Sequence, residues 1–131
     1  IRKEGKDVSL IASSFMVGES LKAASELEKY DIDAEVIDLR TVKPLDVDMI
    51  LKSVEKTGRA VVVDSGWKTC GLAAEVSAII AENDIGVLKS PTRRITLPDI
   101  PAPAGRSLES NYYVKHPGIV DAVVKLVGAQ V

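Results

Sequence analysis

One run constrains the fold of this chain more than any other: Ala34-Glu35-Val36-Ile37-Asp38-Leu39-Arg40-Thr41-Val42-Lys43-Pro44-Leu45-Asp46. It starts as a β-type apolar segment and passes into a polar turn. A proline follows, then an aspartate whose short carboxylate suits the cap of a helix. A strand handing over directly to a capped helix is the repeating step of an α/β sheet.

The same step recurs along the chain. Gly5-Lys6 precedes Val8 to Ala12, an apolar run of strand length. The pattern turns helical from about Met16 to Tyr30, with Val17, Leu21, Ala24 and Leu27 on one stripe and Glu19, Lys22, Glu26 and Lys29 elsewhere. Ile32 to Leu39 predicts the second strand. Asp46 caps a helix over Val47 to Lys56, turned inward through Ile50, Leu51 and Val54 and ended by Gly58. Ala60 to Val63 is uninterrupted and apolar, as in a strand covered on both faces. A loop from Asp64 to Gly71 leads to a helix over Leu72 to Glu82, buried through Leu72, Val76, Ile79 and Ile80. Val87-Leu88 and Arg93 to Leu97 are the remaining candidate strands. Gly118 to Val127 repeats the helical stripe through Ile119, Ala122, Val123 and Leu126. The expectation is one α/β domain over residues 1–131: a three-layer α/β/α body whose mixed, mostly parallel sheet has about five strands.

One stretch breaks the alternation. Pro98 to Pro117 holds four of the six prolines, and a structureless connection of about twenty residues is unusual inside a compact domain. Apart from one helical turn over Ser107 to Asn111, it reads as a surface arm that makes contacts.

Composition excludes several function classes. Seventeen basic and nineteen acidic residues leave a net charge of -2 with no block of one sign, so nothing draws the chain to a phosphate backbone. Five aromatics (Phe15, Tyr30, Trp67, Tyr112, Tyr113) do not make a base-stacking platform. Nucleic acid is therefore not an expected partner. No apolar run approaches the roughly 20 residues of a membrane span, and no signal-peptide core follows the first charges. One cysteine, Cys70, forms no intrachain disulfide and suits a reducing compartment. The first residue is Ile1 rather than methionine, and the expectation is a fragment of a longer chain.

Three stretches together resemble the C-terminal domain of the transketolase family, most closely that of the β subunits of thiamine-diphosphate-dependent 2-oxo acid dehydrogenases. The first is Val36 to Asp46. The second is Val61-Val62-Val63-Asp64-Ser65-Gly66-Trp67, with Gly71 and Ala74-Glu75-Val76, similar to the strand, acidic turn and Gly-Trp pair before a helix. The third is Arg94-Ile95-Thr96 with Asp99-Ile100-Pro101-Ala102-Pro103, then Leu108-Glu109 and Tyr112-Tyr113. Ser65 stands where such subunits often carry an acid, and Lys115-His116 falls in a stretch that varies among relatives.

The resemblance implies a parent enzyme that decarboxylates a 2-oxo acid and transfers the acyl group to lipoamide, in the pyruvate or branched-chain class or an acetoin-type relative. Thiamine diphosphate and Mg²⁺ then belong to the full enzyme, and no catalytic, cofactor or metal residue is carried over to this chain. The implied partners are an α subunit, a second β subunit and a lipoyl acyltransferase, in the cytoplasm or, in a eukaryote, the mitochondrial matrix. The resemblance assigns this domain to assembly and docking, and the isolated chain is expected to be inactive. Two other readings stand beside it: the C-terminal domain of a transketolase or deoxyxylulose-phosphate synthase, and a stand-alone binding module with no enzymatic parent. Gly66-Trp67 and the Pro101/Pro103 arm with Leu108-Glu109 argue against the first of these.

The candidate interface residues are Asp64, Gly66, Trp67, Arg94, Asp99, Pro101, Pro103 and Glu109. The loop from Asp64 to Gly71 sits where open α/β sheets place ligands, but its spacing is not a dinucleotide fingerprint. It reads chiefly as a turn that presents Trp67, a rigid aromatic suited to anchoring an interface. The plain alternative for Trp67 is core filling. For Arg94 it is an internal partner such as Asp99 or Glu109. Cys70, with no histidine beside it, reads as a small semi-buried residue rather than a thiol nucleophile. His116 reads as a turn residue, with acid–base chemistry as its alternative. One histidine and one cysteine do not make a zinc site.

Overall fold

The computed structural model describes residues 1–83 and 86–128. In chain order these form β1 (Val8–Ala12), α1 (Phe15–Leu27), β2 (Ala34–Asp38), α2 (Val47–Thr57), β3 (Ala60–Trp67), α3 (Leu72–Glu82), β4 (Arg93–Leu97), α4 (Arg106–Tyr112) and α5 (His116–Val127). The strands make one sheet in the order β2-β1-β3-β4, and every neighbouring pair is parallel.

Alternation of side chains along the strands builds two cores. Val8, Leu10, Val36, Val61 and Val63 face one way and pack with Met16, Ala24 and Leu27 of α1 and Ile119 and Val123 of α5. Ile11, Ile37 and Val62 face the other way and pack with Ile50 and Val54 of α2 and Val76 and Ile80 of α3. The three expected layers follow directly. Leu10, Ile11, Ile50 and Ile119 are fully buried, each contributing about 1.5–3 kcal/mol of apolar transfer. That is enough to set the orientation of both helix layers against any local preference.

Local signals place the helix ends. Asp46 Oδ1 accepts the Met49 N–H at 3.1 Å, and Gly58 closes α2 at φ 72°, its N–H donating to the Val54 carbonyl at 2.8 Å. Pro117 lies in the first turn of α5, where its missing N–H costs nothing. The helix therefore starts at His116, two residues before the periodicity indicates.

The sheet departs from expectation at both margins. Four strands, not five, are present among the described residues, and Val87-Leu88 is not one of them. That segment follows Gly86 at φ 61°, and the Lys89 N–H donates to the Gly58 carbonyl at 2.8 Å, so it packs on a turn rather than in the sheet. The only antiparallel pairing described is a bridge between Lys3 and Val36 on the outer side of β2. β3 also runs on through Asp64 to Trp67, where a loop is predicted. A register shift after Val63 lets Trp67 pair with Leu97, so pairing with β4 overrides the turn-like sequence.

Polar side chains close the amino ends of the strands. Ser9 Oγ lies 2.7 Å from Ser53 Oγ and 2.8 Å from Thr57 Oγ1, all three residues buried. Lys56 bonds to the fully buried Glu35 carboxylate and to Glu4 at 2.8 Å. Its hydrogen bond to Glu35 raises the Lys56 pKa, and the Lys56 ammonium lowers that of Glu4. The strand order reverses between β1 and β3, because β2 lies to one side of β1 and β3 to the other. The carboxyl ends of β1 and β3 thus flank the switch point, where sheets of this kind open a crevice.

Candidate functional site

Two surfaces meet at the carboxyl ends of the strands, and the first is built on the end of β3. Asp64 is buried and Gly66 packs against it, since a Cβ at Gly66 would stand 2.9 Å from Asp64 Oδ2. Gly71 is fixed by a closer approach: a Cβ there would meet the Trp67 carbonyl oxygen at 2.3 Å. The loop between them is tied to the proline arm twice. Asp99 accepts the Thr69 N–H at 3.0 Å and the Thr69 hydroxyl at 2.7 Å, and these bonds, the hydroxyl first, hold its carboxyl below the ordinary value. Arg94 Nη1 donates to the Lys68 carbonyl at 2.9 Å.

Trp67 stands over this frame, 57% exposed, so it is not a core residue. Its indole N–H donates to Tyr112 Oη at 3.3 Å, and the Tyr112 hydroxyl donates to the Ile100 carbonyl at 2.8 Å. Trp67, Thr69, Asp99, Ile100 and Pro101 line a shallow pocket of about 410 Å³. Sequence reasoning thus named residues the fold brings together: Asp64, Gly66, Trp67, Arg94, Asp99 and Pro101. Pro103 and Glu109 do not line that pocket; Pro103 is half-buried and Glu109 lies exposed in the first turn of α4. Arg94 is bonded to a backbone carbonyl rather than to Asp99 or Glu109, because β4 is an edge strand and turns both Arg93 and Arg94 to solvent. Cys70 is exposed at φ 56°, not semi-buried, since the tight turn into Gly71 holds it outward.

The second surface is a cleft of about 400 Å³ at the switch point, walled by Phe15, Met16, Leu97, Tyr113 and Val114, with Glu19, Lys22 and His116 beside them. Sequence reasoning missed it. The helical stripe places Glu19 away from the core, yet it is 6% exposed because the start of α5 lies over α1. Its carboxylate accepts from Lys22 Nζ at 2.7 Å and the His116 backbone N–H at 2.8 Å, with His116 Nδ1 at 3.2 Å. The Lys22 bond first, then those to His116, hold the Glu19 carboxyl down to about 2 against its desolvation. Glu19 is therefore an ionised tie between two helices. Both oxygens are occupied by donors, one of them by His116 through its backbone N–H and Nδ1. An acid five residues after the strained Ser14 (φ 50°) carries no readable signal until α5 is placed.

Phe15, Trp67, Ile100, Leu108 and Tyr113 are all large, apolar and 45% or more exposed. Trp67 ends β3, and the others belong to the segments that follow β1 and β4. Among the described residues no group of three or more His, Cys, Asp or Glu side chains is placed to hold a metal ion.

The family model for the transketolase C-terminal domain matches residues 1–119. The pyruvate dehydrogenase E1 component subunit beta of Bacillus subtilis is 47% identical over 96% of this chain and 38% of its own length. The acetoin:2,6-dichlorophenolindophenol oxidoreductase subunit beta of Cupriavidus necator is 44% identical over 86% of this chain and 33% of its own. Among solved structures, a split-gene transketolase described as an inactive beta4 tetramer superposes with a TM-score of 0.82 at 29% identity, over 98% of this chain and 41% of that one. The chain thus spans between about a third and two fifths of the length of these three proteins.

Proposed function

Because the chain belongs to the transketolase C-terminal domain family, we propose that it is the C-terminal domain of the β subunit of a thiamine-diphosphate-dependent 2-oxo acid dehydrogenase. The identity of 47% over nearly the whole chain to a pyruvate dehydrogenase β subunit carries this reading. The acetoin relative keeps the substrate class open between pyruvate-like oxo acids and acetoin.

In this reading the domain assembles the enzyme and performs none of its chemistry. Thiamine diphosphate would supply the carbanion chemistry of decarboxylation, and in this reading it and its Mg²⁺ are held by other domains of the enzyme. The chain's part is to present the Trp67 surface, and with it Asp64, Gly66, Arg94, Asp99, Pro101, Pro103 and Glu109, to a second β subunit, an α subunit or a lipoyl acyltransferase. Trp67 has the exposure and rigidity of an interface anchor. The arm beside it is pre-ordered by Asp99 and Tyr112, which lowers the entropy lost on association. The assembly proposed is a cytoplasmic or mitochondrial-matrix one; no described helix is long and apolar enough to cross a membrane.

The test is reconstitution. A β subunit ending in this domain, mixed with its α subunit, thiamine diphosphate and Mg²⁺, should decarboxylate a 2-oxo acid, and Trp67→Ala should reduce activity in step with loss of the assembled form. Micromolar binding of thiamine diphosphate by the isolated chain, measured by calorimetry, would overturn the assignment.

A further inference from the structure

The two margins of the sheet are finished differently. On the outer side of β2, the Arg2 N–H donates to the Val36 carbonyl at 2.8 Å and the Val36 N–H to the Lys3 carbonyl at 2.9 Å, so the lead-in covers that edge. β4 pairs with β3 alone, and no described segment pairs with its other side. An open edge is a template for another strand unless something blocks it. No proline lies within β4.

The ground beside that edge is basic. A groove of about 410 Å³ runs between β4 and α5, lined by Arg93, Ile95, Gly118, Asp121, Ala122 and Lys125, among others. Arg93 and Ile95 pair in register with Val61 and Val63, whose side chains belong to the α1/α5 core, so both lie on the α5 side. Ile95 packs onto that core while Arg93 and Lys125 are exposed. Among the described residues neither cation has an ion-pair partner, and Asp121 is the one acid in the groove. Gly118 and Ala122 keep the α5 wall low.

We propose that the β4 edge and the facing flank of α5 receive an acidic, extended polypeptide segment that joins the sheet as a further strand. Main-chain bonds to β4 would give its affinity, and carboxylates opposite Arg93 and Lys125 its selectivity. A second copy of this chain is disfavoured as the occupant. β4 itself, Arg93-Arg94-Ile95-Thr96-Leu97, carries two cations and no acid, so a second β4 edge would bring no carboxylate to Arg93 and Lys125. The groove shares no lining residue with the Trp67 pocket, although Arg94 borders it and also belongs to the surface proposed for subunit assembly.

The probe is a short, terminally blocked peptide alternating glutamate and valine, with lysine for glutamate as control. On adding the glutamate peptide, amide exchange of Arg93 to Leu97 should slow, and binding should weaken as salt rises. Arg93→Glu and Lys125→Glu should each weaken it about tenfold, the scale of one charge-assisted contact. Both side chains are exposed, so circular dichroism should show either variant folded, and two variants guard against one local artefact. Equal binding of the lysine peptide, protection confined to other segments, or no binding at millimolar peptide would overturn the proposal. So would protection of β4 that rises with protein concentration alone, the signature of a second copy.

Discussion

At the amino ends of the strands polar groups are buried and paired, whereas at the carboxyl ends apolar side chains stand in solvent. Ser9, Ser53, Thr57 and Glu35 are each no more than 3% exposed, and hydroxyl–hydroxyl bonds or the Lys56 ammonium hold them. Phe15, Trp67, Ile100 and Leu108 are each more than half exposed. A buried hydroxyl without a partner is costly, so the amino end turns its hydroxyls and one oxygen of Glu35 onto partners. An exposed aromatic costs the monomer little and gains most when another surface covers it. The same sheet therefore has an end built for stability and an end built for association.

The largest effect expected from this contrast is at Trp67. Trp67→Ala should weaken association of the β subunit by about 2–4 kcal/mol, as for an interface anchor, with about 1 kcal/mol or less lost from unfolding stability. Sedimentation and denaturant titration on the same samples separate the two, and a loss seen only in stability would erase the distinction. Ser9→Val should do the reverse. It leaves the Ser53 hydroxyl without its 2.7 Å partner, and destabilisation by about 1–3 kcal/mol with unchanged association follows.

Asp46→Ala removes the cap of α2 and should cost about 1 kcal/mol, measured as a lower midpoint at unchanged slope. The smallest effect concerns acid. Glu19 has a folded-state pKa of about 2 against an ordinary 4.5, so its stabilisation is complete above 4.5 and is lost as the pH falls toward 2. Thermal melts across that window should show a slope that Glu19→Gln flattens. Superimposable acid profiles for the two proteins would rule out the tie between α1 and α5.

Much of this was legible in the residues. The boundaries of β1, α3 and β4 match those read from periodicity, and Asp46 and Gly58 bracket α2 as their chemistry dictates. Asp64, Gly66, Trp67, Arg94, Asp99 and Pro101 were named for their likeness to a family pattern, and the fold gathers them around one loop. Ser65-Gly66-Trp67 was not legible as strand, because a turn-like composition says nothing of the partner strand that holds it extended. Leu51 was placed inward and is only half-buried, since the stripe of α2 turns on Ser53 and Thr57 reaching for Ser9.

Period and capping chemistry act within about one turn or one strand, so the sequence by itself determined the alternation of elements, the two apolar faces of the sheet and the helix ends. The three layers follow from that alternation. Which strand lies beside which, and hence the crevice between β1 and β3, was decided only by the tertiary structure. So were the burial of Glu19 under α5 and the open edge of β4. Each depends on groups far apart in the chain, Glu19 and His116 or Val63 and Ile95, and contact between them is a property of the assembled sheet rather than of either segment.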